Sequence, residues 1–259
     1  MNQTEWDSRQ YLKFERERTQ PPRDLANRIA LNNPKRILDV GCGPGNSTQV
    51  LHERFPEAEI LGVDSSFDML EKAQKQYPAM NFQFFNVENS LAGLGQTWDV
   101  IFSNACIQWV PDHPRILRDM LSVLNPGGVI AIQIPETRNM PMYRILTELS
   151  DNSQWSSKIA NIRNFYSLEM EEYYELLASL TSDFSIWETN YIQTVAGFDG
   201  LIEWYRGSGL RPYLAALSEN EQPEFIEQVK TRLKDFYLLR PDGSVLMRFP
   251  RLFFTLTSN

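Results

Sequence analysis

From Arg36 onward, short, continuously apolar runs alternate with longer stretches in which apolar residues recur every three or four positions. The runs are Ile37-Leu38-Asp39-Val40, Ile60-Leu61-Gly62-Val63-Asp64, Phe82 to Phe85, Asp99 to Ser103 and Val129 to Ile134. Between them, Ser47 to Phe55, Phe67 to Tyr77 and Arg115 to Leu124 carry helical periodicity. Continuous Ile, Leu and Val predict strands buried on both faces, as in parallel sheets. Their alternation with helices predicts βαβ units wound into a doubly wound α/β sheet. Ahead of the first run, Pro21 and Pro22 sit where a helix can begin, with Leu25, Ile29 and Ala30 at helical spacing. Asn125-Pro126-Gly127-Gly128 reads as a turn.

Beyond Pro135 the alternation loosens. Met140 to Leu149 and Leu168 to Leu180 read as helices, Ser185 to Val195 as a strand, and Asp199 to Leu239 as a helical stretch. Pro241-Asp242-Gly243 turns the chain into a last strand, Val245 to Thr257. Two strands separated by that much helix predict an edge hairpin carrying an inserted helical cap. The expectation is a seven-stranded sheet in one domain over 1–259. An arm and helix occupy 1–33, a ligand-binding core 34–135, and edge strands plus cap 136–259.

Composition narrows the function. The 259 residues are 42% hydrophobic and 22% charged, an ordinary globular mix, with a net charge of -8. That balance repels nucleic acid and anionic membrane, so neither is expected as a partner. The first ten residues are polar, no apolar run approaches the length of a membrane span, and the two cysteines lack metal or disulfide spacing. A soluble, cytoplasmic protein is expected. Cys42 and Cys106 have no basic neighbour in sequence and read as packing residues.

The chemistry concentrates in Asp39-Val40-Gly41-Cys42-Gly43-Pro44-Gly45, between the first strand and its helix. Glycines there let backbone approach a ligand closely, and the helix start offers free N–H groups. Asp64 ends the next strand, where an acid can accept both hydroxyls of a ribose. A dinucleotide fingerprint needs a third glycine five residues after Gly41, and that position is Asn46, which disfavours a nicotinamide oxidoreductase. An acid ahead of the glycines suits a ligand carrying an ammonium and a sulfonium.

Asp39 to Gly45, Asp64, Ser103-Asn104-Ala105 and Asn125 to Gly128 together resemble the motifs of Rossmann-like class I S-adenosylmethionine-dependent methyltransferases. Within that superfamily the chain resembles the trans-aconitate 2-methyltransferase family over nearly its full length. The resemblance is carried by Tyr11-Leu12-Lys13-Phe14, Glu17-Arg18, Gly41 to Thr48, Asp64-Ser65-Ser66, Met69-Leu70, Gln108-Trp109 and Pro111-Asp112-His113. Tyr173-Tyr174, Gly209-Leu210-Arg211-Pro212 and Phe249 to Phe253 extend it. The resemblance implies that Gly41, Gly43 and Gly45 hold the methionine moiety, with Asp39 and Asn104 toward its ammonium. Asp64 would bind the ribose, and Ser65 and Met69 flank the adenine. The family's adenine-side acid falls on Glu88, where aspartate is usual, leaving Val87 as the alternative contact through its backbone. Gln108 and Trp109 would border the transfer site.

The implied reaction is methyl-ester formation on a small polycarboxylic acid, whose carboxylates are ionised at neutral pH. No general base is needed, and no metal; proximity and desolvation supply the rate. Arginine forks suit the remaining carboxylates, which makes Arg18, Arg211 and Arg251 substrate candidates. Tyr11, His113, Tyr174 and Trp204 are further candidates, whereas Tyr173 and Trp187 read as core. A monomer or weak dimer is expected. Methylation of another acid, such as a malonyl group on a carrier protein, and cofactor binding without catalysis stay open at this level.

Overall fold

The five apolar runs become strands β1 (Arg36–Val40), β2 (Glu59–Asp64), β3 (Asn81–Phe84), β4 (Trp98–Asn104) and β5 (Leu124–Pro135), followed by β6 (Phe184–Val195) and β7 (Val245–Thr257). The structure, a computed structural model, describes residues 15–162 and 165–258, with side chains from Thr19 onward in the first helix. The helices are α1 (Glu15–Ala26), α2 (Asn46–Arg54), α3 (Phe67–Gln76), α4 (His113–Ser122), α5 (Pro141–Ser150), α6 (Ser156–Ile159), α7 (Met170–Leu180), α8 (Gly197–Arg206), α9 (Arg211–Ala216) and α10 (Gln222–Leu233). Tyr11 and the Arg18 side chain lie outside the described residues.

The strands form one seven-stranded sheet in the order β3-β2-β1-β4-β5-β7-β6. β1 pairs in parallel with β2 on one side and β4 on the other, and β7 returns antiparallel against β5. The winding direction therefore reverses between β1 and β4, the switch point at which such sheets bind ligands beyond their carboxyl ends. This is the doubly wound α/β, Rossmann-like sheet expected from the sequence.

The chain divides into two compact units: one takes in 15–135, 165–189 and 251–259, the other 136–164 and 190–250. In the sheet unit, Leu38, Val40, Ile101, Ile130, Ile132, Ile134, Leu252 and Phe254 share one face. They pack with Ile116, Leu117 and Met120 of α4 and with Tyr173, Leu176 and Leu177 of α7. The alternate positions, including Ile37, Asp39, Phe102, Asn104, Ala131, Gln133 and Phe253, point to the opposite face. There α1 packs against β5 and α2, and the Trp187 ring lies flat on Phe253, 5.3 Å between centroids. In the helical unit, Trp155 meets Phe225 edge to face at 5.3 Å and Tyr143 meets Tyr205 at 5.9 Å.

Three local expectations change. α1 runs through Pro21 and Pro22 rather than beginning at them, and Ile29 and Ala30 follow it. Two prolines remove two backbone donors but keep a helical φ, and the buried Leu25 and Ala26 hold the segment in place. The helical stretch after Asp199 is three helices, because Pro212 and Pro223 each start a new one. Gly209 before the break lies so close to Tyr143 that a Cβ would stand 2.3 Å from its hydroxyl. Asn125 to Gly128 is an irregularity inside β5: Trp98 pairs with Leu124, and the ladder resumes only at Val100 with Val129.

Phe254, fully buried between β5 and α7, carries the central packing. Phe254→Ala should lower the unfolding free energy by about 3–5 kcal/mol in urea denaturation, the range for an aromatic deleted from a core.

Candidate functional site

The loops leaving β1 and β4 press against each other at the switch point. Gly41 has φ +75°, and a Cβ there would lie 2.2 Å from Cys106 Sγ, so the thiol fills the space that a side chain would need. Ala105, one residue earlier, has φ +53°, a left-handed conformation unusual without glycine. It is fixed by its N–H donating to the Gln133 carbonyl at 2.9 Å. Ser103 Oγ donates to the Val40 carbonyl at 3.0 Å, and the Gly41 and Cys42 N–H groups both donate to the Val63 carbonyl. The ends of β1, β2 and β4 are thereby tied together.

Asp39 is fully buried at the end of β1. Ser47 Oγ and Thr48 Oγ1, from the first turn of α2, both donate to its Oδ2 at 2.7 Å, while Oδ1 has no partner. Burial pushes its pKa up to about 6, against the pull of the two hydroxyls, with the Asp64 charge adding to the rise. Asp64 lies at the matching end of β2: its Oδ2 accepts from the Gly43 N–H at 3.0 Å and its Oδ1 from the Ser66 N–H at 2.8 Å. Burial raises its pKa as well, opposed by the N–H groups of Ser66, Gly43 and Ser65. Gly43, at φ +53°, has open space where a Cβ would project, with nothing within 4 Å. A glycine cradle with two acids behind it is a seat for a cationic ligand.

Asn104 ends β4 with its Oδ1 buried and unpartnered. Gln108, in the single turn Ile107–Trp109, donates Nε2 to the Ala105 carbonyl at 2.8 Å and leaves its Oε1 unpartnered. Trp109 stands edge-on to Phe165 at 4.7 Å. Around the end of β2, Ser65 follows Asp64 and the buried Met69 is fixed by Ser66 Oγ, which caps α3. Val87 is buried, while Glu88 is exposed with its N–H bonded to Asn86 Oδ1. Arg251 is only 7% exposed, with Nη1 3.5 Å from Gln133 Oε1.

Other expected contacts are found elsewhere. His113 is buried under the sheet: its Nε2–H donates to the Ile107 carbonyl at 2.9 Å and its Nδ1 accepts from the Tyr173 hydroxyl at 2.5 Å. A carbonyl can only accept, which fixes the tautomer, and burial lowers the pKa so that the ring stays neutral. Both nitrogens are engaged, so His113 is a structural group rather than a substrate contact. Tyr174, one residue beyond the buried Tyr173, is turned to the outer side of α7 and is 52% exposed, which removes it from the set gathered here. In the helical unit Trp204 is buried against Phe249, 5.7 Å between centroids, as core of that unit. Arg211 begins α9, its pKa lowered by burial.

A family model described as a methyltransferase domain matches residues 14–175. Proteins named trans-aconitate 2-methyltransferase are similar along the whole chain. That of Rhodopseudomonas palustris (strain BisB18) is 39% identical over 251 residues, covering 96% of this chain and 97% of the relative. That of Azoarcus sp. (strain BH72) is 40% identical over 249 residues, with the same coverage. The chain belongs to the trans-aconitate 2-methyltransferase family. Solved structures agree on the fold. The YcgJ protein from Bacillus subtilis superposes with TM-score 0.60 at 15% identity, covering 93% of this chain and 99% of that one. Phosphoethanolamine N-methyltransferase 2 of Haemonchus contortus, solved with S-adenosyl-L-methionine, superposes with TM-score 0.54 at 18% identity, covering 93% and 53%.

As a member of the trans-aconitate 2-methyltransferase family, the protein is an S-adenosylmethionine-dependent methyltransferase. The residues present fit that cofactor: buried, unpartnered oxygens on Asp39 and Asn104 answer an ammonium, the opening at Gly43 admits a ligand against the backbone, and Asp64 keeps lone pairs for hydroxyls. Among the described residues no cluster of His, Cys, Asp and Glu has the makings of a metal site. Cys106, expected as a packing residue, fills the space at Gly41. Three contributors were not expected: Ser47 and Thr48, which fix Asp39, and Gln133, which accepts from Arg251; of these Gln133 leaves a signal, as one amide inside an apolar run.

Two predictions follow from these bonds. Because the folded-state pKa of Asp39 lies above the ordinary 3.8, the folded protein holds a proton that the unfolded chain releases. The stability this gives is present below pH 4 and is lost as pH rises through 6. Asp39→Asn should remove the decline and stabilise the cofactor-free protein by up to about 3 kcal/mol at pH 7.5 relative to wild type, compared with pH 4. Paired urea titrations at the two pH values measure it. Tyr173→Phe should cost about 1–3 kcal/mol in the same assay by leaving a buried His113 nitrogen unsatisfied.

Proposed function

We propose that the protein forms a methyl ester on one carboxylate of a small polycarboxylic acid, with trans-aconitate as the preferred substrate. Full-length similarity at 38–40% identity to relatives named for that acid supports the substrate. The observation that carries the chemistry is the pair of bare, buried oxygens on Asp39 and Asn104 beside the open Gly43. When bound, S-adenosylmethionine would supply its sulfonium methyl group to a carboxylate oxygen, the S–CH3 bond breaking as the O–CH3 bond forms and S-adenosylhomocysteine leaving as the neutral thioether. Asp39 and Asn104 hold the ammonium, Gly41, Gly43 and Gly45 present backbone to the methionine chain, and Asp64 accepts the ribose hydroxyls. Ser65, Met69, Val87 and Glu88 surround the adenine, and Gln108 and Trp109 border the reacting oxygen and exclude water. Since that oxygen is already anionic, the neutral, fully engaged His113 has no proton to take.

Arg251 is the carboxylate fork at the sheet. On this reading the helical unit, which carries Arg211 and Trp204, is the substrate cap of a single methyltransferase domain, and Tyr11 and Arg18, whose side chains lie outside the described residues, are further substrate candidates. The same reading makes the protein a cytoplasmic enzyme working as a monomer or weak dimer; among the described residues no helix is long and apolar enough to cross a membrane. Methyl transfer from labelled cofactor to trans-aconitate, cis-aconitate, citrate and isocitrate tests the proposal. Trans-aconitate is expected to exceed the others in kcat/KM by about tenfold or more. Absence of transfer to every acid, with the cofactor bound, would leave a cofactor-binding protein and overturn it.

A further inference from the structure

Resting on the reading of a carboxylate substrate, we propose that Gln133 sets the acid-binding end of the site. Its carbonyl orients the Arg251 guanidinium, and its amide N–H donates to the same substrate carboxylate. Gln133 breaks an otherwise apolar strand between Ile132 and Ile134 and is fully buried. Its Oε1 accepts from Arg251 Nη1 at 3.5 Å, and its Nε2 has no partner. A buried amide with half its capacity unmet is unfavourable unless a ligand completes it.

Register gives the face on which the unmet donor lies. Asn104 on β4 pairs with Gln133 on β5, and Pro135 on β5 pairs with Arg251 on β7, so all three side chains share the sheet face of Asp39. Across β1, β4, β5 and β7 that face carries an anion, a bare carbonyl oxygen, a bare N–H and a cation. A strand spacing of about 4.8 Å puts β7 roughly 10 Å from β4. Ligands lying along this row meet acceptors at one end and donors at the other, the polarity of a cationic methyl donor next to an anionic acceptor. The residue type matters as much as the place. A glutamate would set a second negative charge beside the acid and repel it, whereas the neutral amide aligns the guanidinium through its carbonyl and offers an N–H to the substrate.

Gln133 is thus a positioning and specificity residue, tested in the full-length protein with Gln133→Glu and the similarly sized Gln133→Met. Each is assayed by varying trans-aconitate at saturating S-adenosylmethionine and the reverse, with calorimetry of each ligand separately. The KM for trans-aconitate should rise at least about tenfold in both variants, more in Gln133→Glu, while cofactor affinity changes less than about twofold. Unchanged acid KM in both, or equal loss of cofactor affinity, overturns the role of Gln133. If Gln133→Glu does not fold, Gln133→Met alone decides. Failure of wild-type protein to bind or turn over any acid overturns instead the reading on which this one rests.

Discussion

Asp39 is sealed from water with one oxygen gripped by two hydroxyls and the other left bare, and the rest of the site is arranged around that imbalance. The grip comes from the first turn of α2, so the bonds that hold the acid also fix both ends of the intervening glycine loop. Asp64 holds the loop from the side through Gly43. Burial raises the proton affinity of both acids, and the Asp64 charge adds to the rise at Asp39, so the fold carries an electrostatic strain. A bound cation relieves it, so binding energy for a positively charged ligand is built in before that ligand arrives.

Backbone strain lies beside the electrostatic strain. Ala105 has positive φ without being glycine, Gly41 opposite it has the conformation only glycine takes freely, and Cys106 occupies the space between their loops. Each loop prevents the other from relaxing, which gives a positioned surface at the ends of β1 and β4 rather than two flexible turns. The thiol here is a space-filler: burial, aided by the nearby acids, raises its pKa far from any nucleophilic role.

The sheet was legible chiefly because β1, β2, β4 and the second half of β5 are continuous apolar runs, and the seven segments read as strands match the seven found. Helix boundaries before Pro21 and after Asp199 were not, since packing and paired prolines govern them more than local pattern. At the site, Asp39, the glycines and Asp64 announce themselves by spacing. The surroundings of His113 and Tyr174 were not legible, because adjacency in the chain does not say which side of a helix faces inward: the buried Tyr173 is followed directly by the exposed Tyr174. Nor was the burial of Trp204 against Phe249, a contact made between distant segments. Gln133 is visible as one amide in an apolar run, but its role stayed hidden because its pairing with Arg251 is made across strands far apart in sequence.

The position of β7 between β5 and β6 has a consequence for how the molecule is made. Everything from β1 to β5 can pair as it leaves the ribosome, but β5 then presents an open, apolar rim that only a segment synthesised after the whole helical unit can cover. Until it arrives, β6 has no neighbour in the sheet. Assembly therefore ends with one long-range closure, and the interval before it is when the nascent protein is most exposed to mispairing with other chains.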